Sequence, residues 1–429
     1  MKLSSYTVVI SAGGKGTRIA SVASDIPKPM IPVDGIPVLE HELISLKNQG
    51  FTRFIFTIGH LGHLIKEYFG NGGKWGISID YFEEKDPLGT AGALYYLKDE
   101  LQSDFLYLNG DAVMDIDFER MIRFHESHAG KITLFTHPNS HPYDSALIVA
   151  DSATKQVTRW INKEDERTIY KNRVNAGVHI LSPEVLAELK PGKSDLDRDL
   201  LKPMVPKGWI YAYDSTEYVK DMGTPDRLAS VCRDIQAGRV HARNLSVPQK
   251  AVFLDRDGTI NRYMGFLSDH TKMELLDGVG EAIRRINEAG YLAIVVTNQP
   301  VIARGECTFA ELEMIHNAME TQLGREGAYV DDIFICPHHP DRGFPGERPE
   351  YKIECNCRKP KPGLILAAAE KYNIDLSQSY MVGDSDRDME AGKAAGCTCV
   401  LIGENDAAGF KNRYGSLLDF VKDKERIGW

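Results

Sequence analysis

The chain reads as an α/β protein of two doubly wound domains, and three observations carry that reading. Apolar, β-branched runs alternate with helical stretches, the rhythm of βαβ units and a mainly parallel sheet. Once in each half such a run feeds a phosphate-type loop. Thr7–Ile10 leads into Gly13-Gly14-Lys15-Gly16-Thr17-Arg18, and Ala251–Leu254 leads into Asp255-Arg256-Asp257-Gly258-Thr259. A polar, basic stretch with Gly238 and Pro248, Gln236–Lys250, separates the two βα patterns. The domains are therefore expected at 1–235 and 250–429, with a linker at 236–249.

In the first half the expected strands are Tyr6–Ala12, Phe51–Gly59, Ile77–Phe82 and Asp104–Leu108. Helices are expected over Val38–Gln49, closed by Gly50, from His63 to Phe69, and over Gly92–Leu101. The second half restarts with the strand Ala251–Leu254. It continues with a helix at Gly278–Ala289, a strand at Tyr291–Thr297, a helix at Thr308–Arg325 and a strand at Asp332–Cys336. A helix at Gly363–Tyr372 and strands at Tyr380–Val382 and Cys397–Ile402 complete the series. In such sheets ligands bind beyond the carboxyl ends of the strands, where both loops fall.

At 429 residues the chain is long enough for two or three cored domains. Its apolar runs are strand-sized, so a transmembrane helix is excluded and a cytoplasmic protein is expected. A net charge of −10 argues against nucleic-acid binding and leaves small-molecule substrates as the expected partners. Three of the seven cysteines crowd into Cys336–Cys357, a metal pattern in a reducing compartment.

The first loop suits phosphate because its glycines let backbone N–H groups approach an anion, and Arg18 adds charge. An ordinary glycine turn is the plain alternative, but the surroundings favour phosphate. Lys28 sits between two stiffening prolines, Pro87–Gly92 makes a second glycine turn, and Asp111 and Asp221 start loops in distant segments. Two such carboxylates suit a Mg²⁺ on a triphosphate. With P-K-P-M, L-G-T-A-G-A, N-G-D, N-A-G and D-M-G-T-P following in order, roughly residues 5–232 resemble the sugar-phosphate nucleotidyltransferase family. Within that family the chain is most similar to guanylyltransferases acting on heptose or mannose 1-phosphate.

That resemblance implies that Gly13, Gly14, Gly16, Thr17 and Arg18 hold the triphosphate and that Lys28 stabilises charge at the α-phosphorus. It puts Glu84, Gly89 and Thr90 near the base, Asp111 and Asp221 on Mg²⁺, and Lys163 and Asn175 on the sugar phosphate. Asn162 stands where many members have Glu, so the sugar contacts there are expected to differ. A carboxylate at Glu84 can accept from the N1–H and 2-amino groups of guanine, which makes GTP the expected nucleotide.

In the second half, D-x-D after a buried strand places one carboxylate to attack phosphorus and another to handle the leaving-group proton. Thr297-Asn298, Lys359 within Arg358–Pro362, and Asp384 within Val382–Asp386 follow in order. Roughly residues 250–405 thus resemble the haloacid dehalogenase phosphatase superfamily. The resemblance implies Asp255 as nucleophile, Asp257 as acid–base, Thr297 and Lys359 on the phosphoryl group, and Mg²⁺ held by Asp255, Asp257 and Asp384. Cys336, His338, Cys355 and Cys357 form a Cys₃His set of the kind structural Zn²⁺ prefers. With Asn298-Gln299 and Ala303-Arg304-Gly305, the segment is most similar to heptose 1,7-bisphosphate phosphatases, relatives of histidinol phosphatases. Asn298, Arg304 and Arg358 would then contact substrate.

Together these readings imply a bifunctional NDP-heptose enzyme. Its phosphatase would make heptose 1-phosphate and its transferase would convert that to GDP-heptose. A mannose 1-phosphate guanylyltransferase fused to a histidinol-phosphatase-like domain, and a non-catalytic regulatory protein, are the alternatives.

Overall fold

The computed structural model describes residues 2–14, 25–343, 345–403 and 412–429. By contacts the chain forms two compact units. The first is Met1–His137, Ile148–Ile161 and Asn175–Asn244; the second is Pro138–Leu147, Asn162–Val174 and Leu245–Trp429.

The first unit is built on a nine-stranded sheet. Its main path runs Val157–Ile161, Leu147–Ala150, Val174–Leu181, Phe105–Asn109, Thr7–Ser11, Arg53–Ile58, Ser78–Glu83, and Ile132–His137 pairs with both Val174–Leu181 and Ile210–Asp214. The four strands expected from sequence form its parallel centre, with Thr7–Ser11 between Arg53–Ile58 and Phe105–Asn109. Thr7–Ser11, Arg53–Ile58 and Phe105–Asn109 are mostly apolar because they are buried on both faces, whereas Ser78–Glu83, at the edge, is half exposed. The helix Val38–Gln49 ends at Gly50, whose φ of 107° no L-residue adopts easily. Because the central strands run parallel, Gly13, Glu84 and Asn109–Asp111 emerge at one edge.

Within this core, His179 is fully buried on the strand Val174–Leu181 and stacks on Tyr107, and neither ring nitrogen has a hydrogen-bond partner. Burial holds its pKa down to about 3. The unfolded chain therefore binds one more proton than the folded one between about pH 6.5 and 3, and stability falls by about 1.4 kcal/mol per unit across that window. Acidifying from pH 7.5 to 5 should cost the wild type about 2 kcal/mol more than His179→Leu. Urea unfolding of both proteins at the two pH values checks this; equal losses would refute it.

The second unit carries a six-stranded sheet in the order Asp332–Cys336, Leu292–Asn298, Ala251–Leu254, Tyr380–Gly383, Thr398–Ile402, Arg413–Tyr414, all pairs parallel. The helix Phe309–Arg325 starts on a capping box in which Thr308 and Glu311 bond each other's backbone N–H. Beyond the last expected strand, the helix Leu417–Ile427 buries Leu417, Phe420 and Val421.

Two stretches that precede the expected domain boundary pack into this second unit. Tyr170 N–H donates to Thr321 Oγ1 (2.9 Å), Asn172 N–H to Glu320 Oε2 (2.6 Å), and Arg173 Nη2 to the Asp331 carbonyl (2.9 Å). Arg173 also faces Glu320 at 3.6 Å, both side chains almost wholly buried. Neither charge is tolerable there without the other. The expected linker is partly helical: Arg239–Ala242 follows Pro225–Gln236, and His241 and Asn244 both bond Asp115 (2.9 and 2.7 Å). Among the described residues no helix is long and apolar enough to cross a membrane.

Candidate active sites

In the first unit, Gly13 and Gly14 follow the central strand. A Cβ on Gly13 would meet the Glu84 carboxyl at 3.3 Å, so glycine there lets the two loops close together. Gly16, Thr17 and Arg18 lie outside the described residues. Glu84 turns one oxygen to the Leu88 N–H (3.0 Å), and burial raises its pKa. Gly89 has φ of 74°, and a Cβ there would strike the Ser194 carbonyl at 2.4 Å. Thr90 Oγ1 accepts from the Leu196 N–H (2.7 Å), and its carbonyl accepts from the Tyr107 hydroxyl. The Pro87–Gly92 turn is thus laced to the 192–197 segment.

Lys28, Asp111 and Asp221 come together. Lys28 is ion-paired to Asp111, and the Met222 N–H donates to the Asp111 carbonyl (3.1 Å) where the strands Ala112–Asp115 and Tyr218–Asp221 pair. Burial opposes ionisation of Asp221. Arg227 (3.0 Å), the Gly223 N–H and Lys28 outweigh it and hold its carboxyl below the usual range. Two carboxylates on paired strand ends, both under the influence of Lys28, fit a divalent cation carrying phosphates.

Asn175 sits beside this loop: Gly177, with φ of 74°, packs against Asn109 so closely that a Cβ would lie 2.5 Å from its amide. Asn175 donates to Asp197 Oδ1 (3.2 Å), a carboxyl pushed up to about 6 by burial and then by Asp195. Asp197 carries no motif, and only its contact with Asn175 reveals it. Lys163, expected beside Asn175, instead belongs to the stretch that packs with the second unit, where it is exposed and ion-paired to Glu164 at 3.8 Å.

In the second unit, Asp255 leaves the central strand with its N–H on the Val382 carbonyl (3.0 Å), which brings it to Asp384. Ligand oxygens of Asp255, Asp384 and Asp388 lie within 4.8 Å of one another. Lys359 Nζ reaches Asp255 Oδ1 (2.7 Å) and Asp388 Oδ1 (2.6 Å). Burial pushes the Asp255 pKa up to about 7, with Asp388 adding to the rise and Lys359 opposing it. Burial, then Asp388, pushes Asp384 up to about 6. Burial pulls Lys359 the other way, but the two carboxylates hold it charged. Three converging carboxylates beside one ammonium are a donor set that fits Mg²⁺.

The expected Mg²⁺ set named Asp257 rather than Asp388. In the structure the Asp257 carboxylate turns to Arg256 Nη2 (2.7 and 2.8 Å), Asn261 Nδ2 (3.1 Å) and Gln299 Nε2 (2.9 Å), and Asp388 joins the converging group instead. Asp388 was legible only as the fifth residue of Asp384-Ser385-Asp386-Arg387-Asp388, on the first turn of the helix Asp386–Ala395. Thr297, the last residue but one of its strand, is almost wholly buried. Both ends of the Asn298 amide are occupied by the Lys359 backbone, at 3.0 Å each, so Asn298 braces the lysine loop. Arg304 lies over the Phe266 ring (4.4 Å) and pairs with Glu306 (2.6 Å), and Arg358 donates to the His338 carbonyl (3.1 Å).

Cys336, His338, Cys355 and Cys357 also converge within 4.8 Å. Sulfur–sulfur separations are 3.2–3.6 Å, and His338 Nδ1 is 3.3 Å from Cys357 Sγ. Four soft ligands at this spacing suit tetrahedral zinc.

The family model for nucleotidyl transferases matches residues 7–238, and a HAD-hydrolase-like model matches residues 356–411. The D-glycero-beta-D-manno-heptose-1,7-bisphosphate 7-phosphatase of Salmonella typhi is 44% identical over 158 residues, 37% of this chain and 81% of that protein. The D-glycero-alpha-D-manno-heptose-1,7-bisphosphate 7-phosphatase of Burkholderia mallei is 41% identical over 160 residues, 37% of this chain and 82% of that protein. Among solved structures, HddC from Yersinia pseudotuberculosis complexed with GMP-PN is 27% identical and covers 54% of this chain and 99% of its own, with a TM-score of 0.47. With its transferase and phosphatase halves, the chain is an enzyme that belongs to the nucleotidyl transferase family through residues 7–238 and to the heptose-1,7-bisphosphate 7-phosphatases through its second half.

Proposed function

We propose that the two halves catalyse consecutive steps, from a heptose 1,7-bisphosphate to a GDP-heptose, on small-molecule substrates in the cytoplasm. The observation that carries this reading is the pairing itself: a 7-phosphatase releases the sugar 1-phosphate that a nucleotidyltransferase consumes. Seven free cysteines, three of them in the metal-ready cluster, suit a reducing compartment.

In the phosphatase half, Asp255 would attack the C7 phosphorus. The new Asp255 O–P bond forms as the P–O bond to C7 breaks, and Asp257 gives the leaving oxygen its proton. Water, deprotonated by Asp257, would then cleave the acyl phosphate and release inorganic phosphate. Thr297 and Lys359 would grip the phosphoryl oxygens, and Asn298, Arg304 and Arg358 would frame the substrate. Mg²⁺ would be held by Asp255, Asp384 and Asp388 and would screen carboxylate from phosphate. Zn²⁺ would tie down the 336–357 loop.

In the transferase half, the sugar phosphate would attack the α-phosphorus of GTP and expel pyrophosphate. Gly13, Gly14, Gly16, Thr17 and Arg18 would cradle the triphosphate and Lys28 would meet the developing charge. Asp111 and Asp221 would hold Mg²⁺, Gly89 and Thr90 would line the base, and Asn175 and Asp197 would face the sugar phosphate.

Incubating the protein with heptose 1,7-bisphosphate, Mg²⁺ and each NTP in turn, then weighing the product, tests the whole reading. GDP-heptose is expected; GDP-mannose formation from mannose 1-phosphate without heptose turnover would overturn it. Glu84 supplies the narrower test. Its carboxylate would accept from the N1–H and 2-amino groups of guanine, a donor pair that other bases lack. Losing the guanine donors from this carboxylate costs about 1–3 kcal/mol, so the expected preference for GTP over ATP from this contact is about 5- to 150-fold. Glu84→Gln should erase most of it. A Gln variant with the wild-type order of NTPs would show that another group reads the base.

A further inference from the structure

Gln299 has no part in the chemistry set out above, yet it is almost wholly buried between two of its groups. Its backbone N–H donates to the carbonyl of Cys336 (2.8 Å), which pins the residue to the neighbouring strand. Its side-chain nitrogen donates twice: to Asp257 Oδ2 (2.9 Å) and to Thr297 Oγ1 (2.9 Å). A primary amide has two N–H hydrogens, and here each has an acceptor. The opposite rotamer would set the amide oxygen against the Asp257 carboxylate, acceptor against acceptor, so the orientation is dictated by its neighbours.

The consequences reach both partners. Because Thr297 Oγ1 accepts from Gln299, its own hydrogen is left for another acceptor, and a phosphoryl oxygen beside Asp255 is such a group. Asp257 is held on its own loop by Arg256 and Asn261. Gln299 is the contact that ties it to the strand bearing Thr297. Arg256 is itself anchored, with Nη1 on His316 Nε2 (3.2 Å).

We infer that Gln299 is a positioning residue for phosphate release: one amide sets the distance between the acid–base carboxylate and the hydroxyl that grips the phosphoryl group, and turns that hydroxyl into a donor. The inference rests on the phosphatase roles given to Asp257 and Thr297. Displacement of a reacting group by about 1 Å can cost on the order of 100-fold in rate.

The test uses the full-length protein. Gln299→Met keeps the volume and removes both donors. It should lower kcat for phosphate release about 10- to 100-fold, with KM within about threefold of wild type. Zinc content, thermal midpoint and nucleotidyl transfer should stay as in the wild type. Gln299→Asn retains an amide that is one carbon too short to reach both acceptors, and should also lose kcat. In Thr297→Val, adding Gln299→Met should cost less than it does in the wild type, because part of its action runs through the missing hydroxyl. A folded Met or Asn variant with kcat within twofold of wild type overturns the inference. So does a rise in KM at constant kcat, which would make Gln299 a direct substrate contact, or fully multiplicative losses with Thr297→Val. Any phosphomonoester the wild type hydrolyses can serve, so failure with heptose 1,7-bisphosphate would count against the substrate and not against Gln299.

Discussion

Asp255→Asn is expected to stop phosphate release from heptose 1,7-bisphosphate while GTP is still joined to supplied heptose 1-phosphate. An amide nitrogen does not attack phosphorus, so the loss should reach about 10⁴-fold or more, the scale on which removal of a catalytic unit reads out. Folding should survive. Asp255 is a buried carboxyl whose pKa burial has already raised to about 7, so a neutral isostere suits its surroundings, and Lys359 keeps Asp388 as a partner at 2.6 Å. Apart from Lys163, which packs with the second unit, the residues given to nucleotidyl transfer come from other strands, in a separately packed unit. Phosphate and pyrophosphate released in the same reaction mixture give both activities at once. Loss of both in a folded protein would refute independent sites.

The second large effect concerns the metal loop. Protein purified without added zinc should carry one zinc per chain, and Cys355→Ser should carry little. Thiolates spread over 22 residues of unfolded chain form no site, so the binding free energy appears as folding free energy, about 10–16 kcal/mol in zinc-finger peptides. Even about 4 kcal/mol of it, lost from a unit of this size, lowers the thermal midpoint by roughly 8–16 °C. The loss should centre on the second unit. There the loop braces the substrate edge: the Arg348 N–H donates to the Ala303 carbonyl (2.9 Å), and Gly305 packs so tightly on Gly346 that a Cβ would lie 2.0 Å from its carbonyl oxygen. Metal analysis and a melting curve of Cys355→Ser decide the matter. Unchanged zinc content would remove the cysteine from the site.

Much of this protein was legible before any coordinates. The central parallel strands show as short apolar runs because both their faces are buried, and a strand that leads into Gly13 or Asp255 announces its loop by the residues that follow. The Cys₃His set was readable because its ligands fall in two short clusters, and the structure brings all four together. The five further strands of the first sheet, and the helix Leu417–Ile427, carry weaker patterns that the sequence does not set apart.

The sequence by itself determined which chemistry this chain carries: the order of its glycine, lysine and aspartate motifs is local, and the backbone needs only a strand and a turn to present them. Tertiary structure alone decided how those groups are divided and held. The stretch 162–174 packs with the second unit because Glu320, Thr321 and Asp331 satisfy Tyr170, Asn172 and Arg173 across about 150 residues of chain, and 138–147 joins it through the Asn172 side chain, which bonds the Asn139 backbone (3.2 and 2.8 Å). Asp388 stands with Asp255 and Asp384 because a capping box sets it on the first turn of a helix beside Lys359. Gln299 meets Asp257 because parallel strands bring their loops to one edge. Hydrogen bonds of this kind depend on which buried donors and acceptors find one another after the chain has folded, and no period or spacing in the sequence encodes that choice.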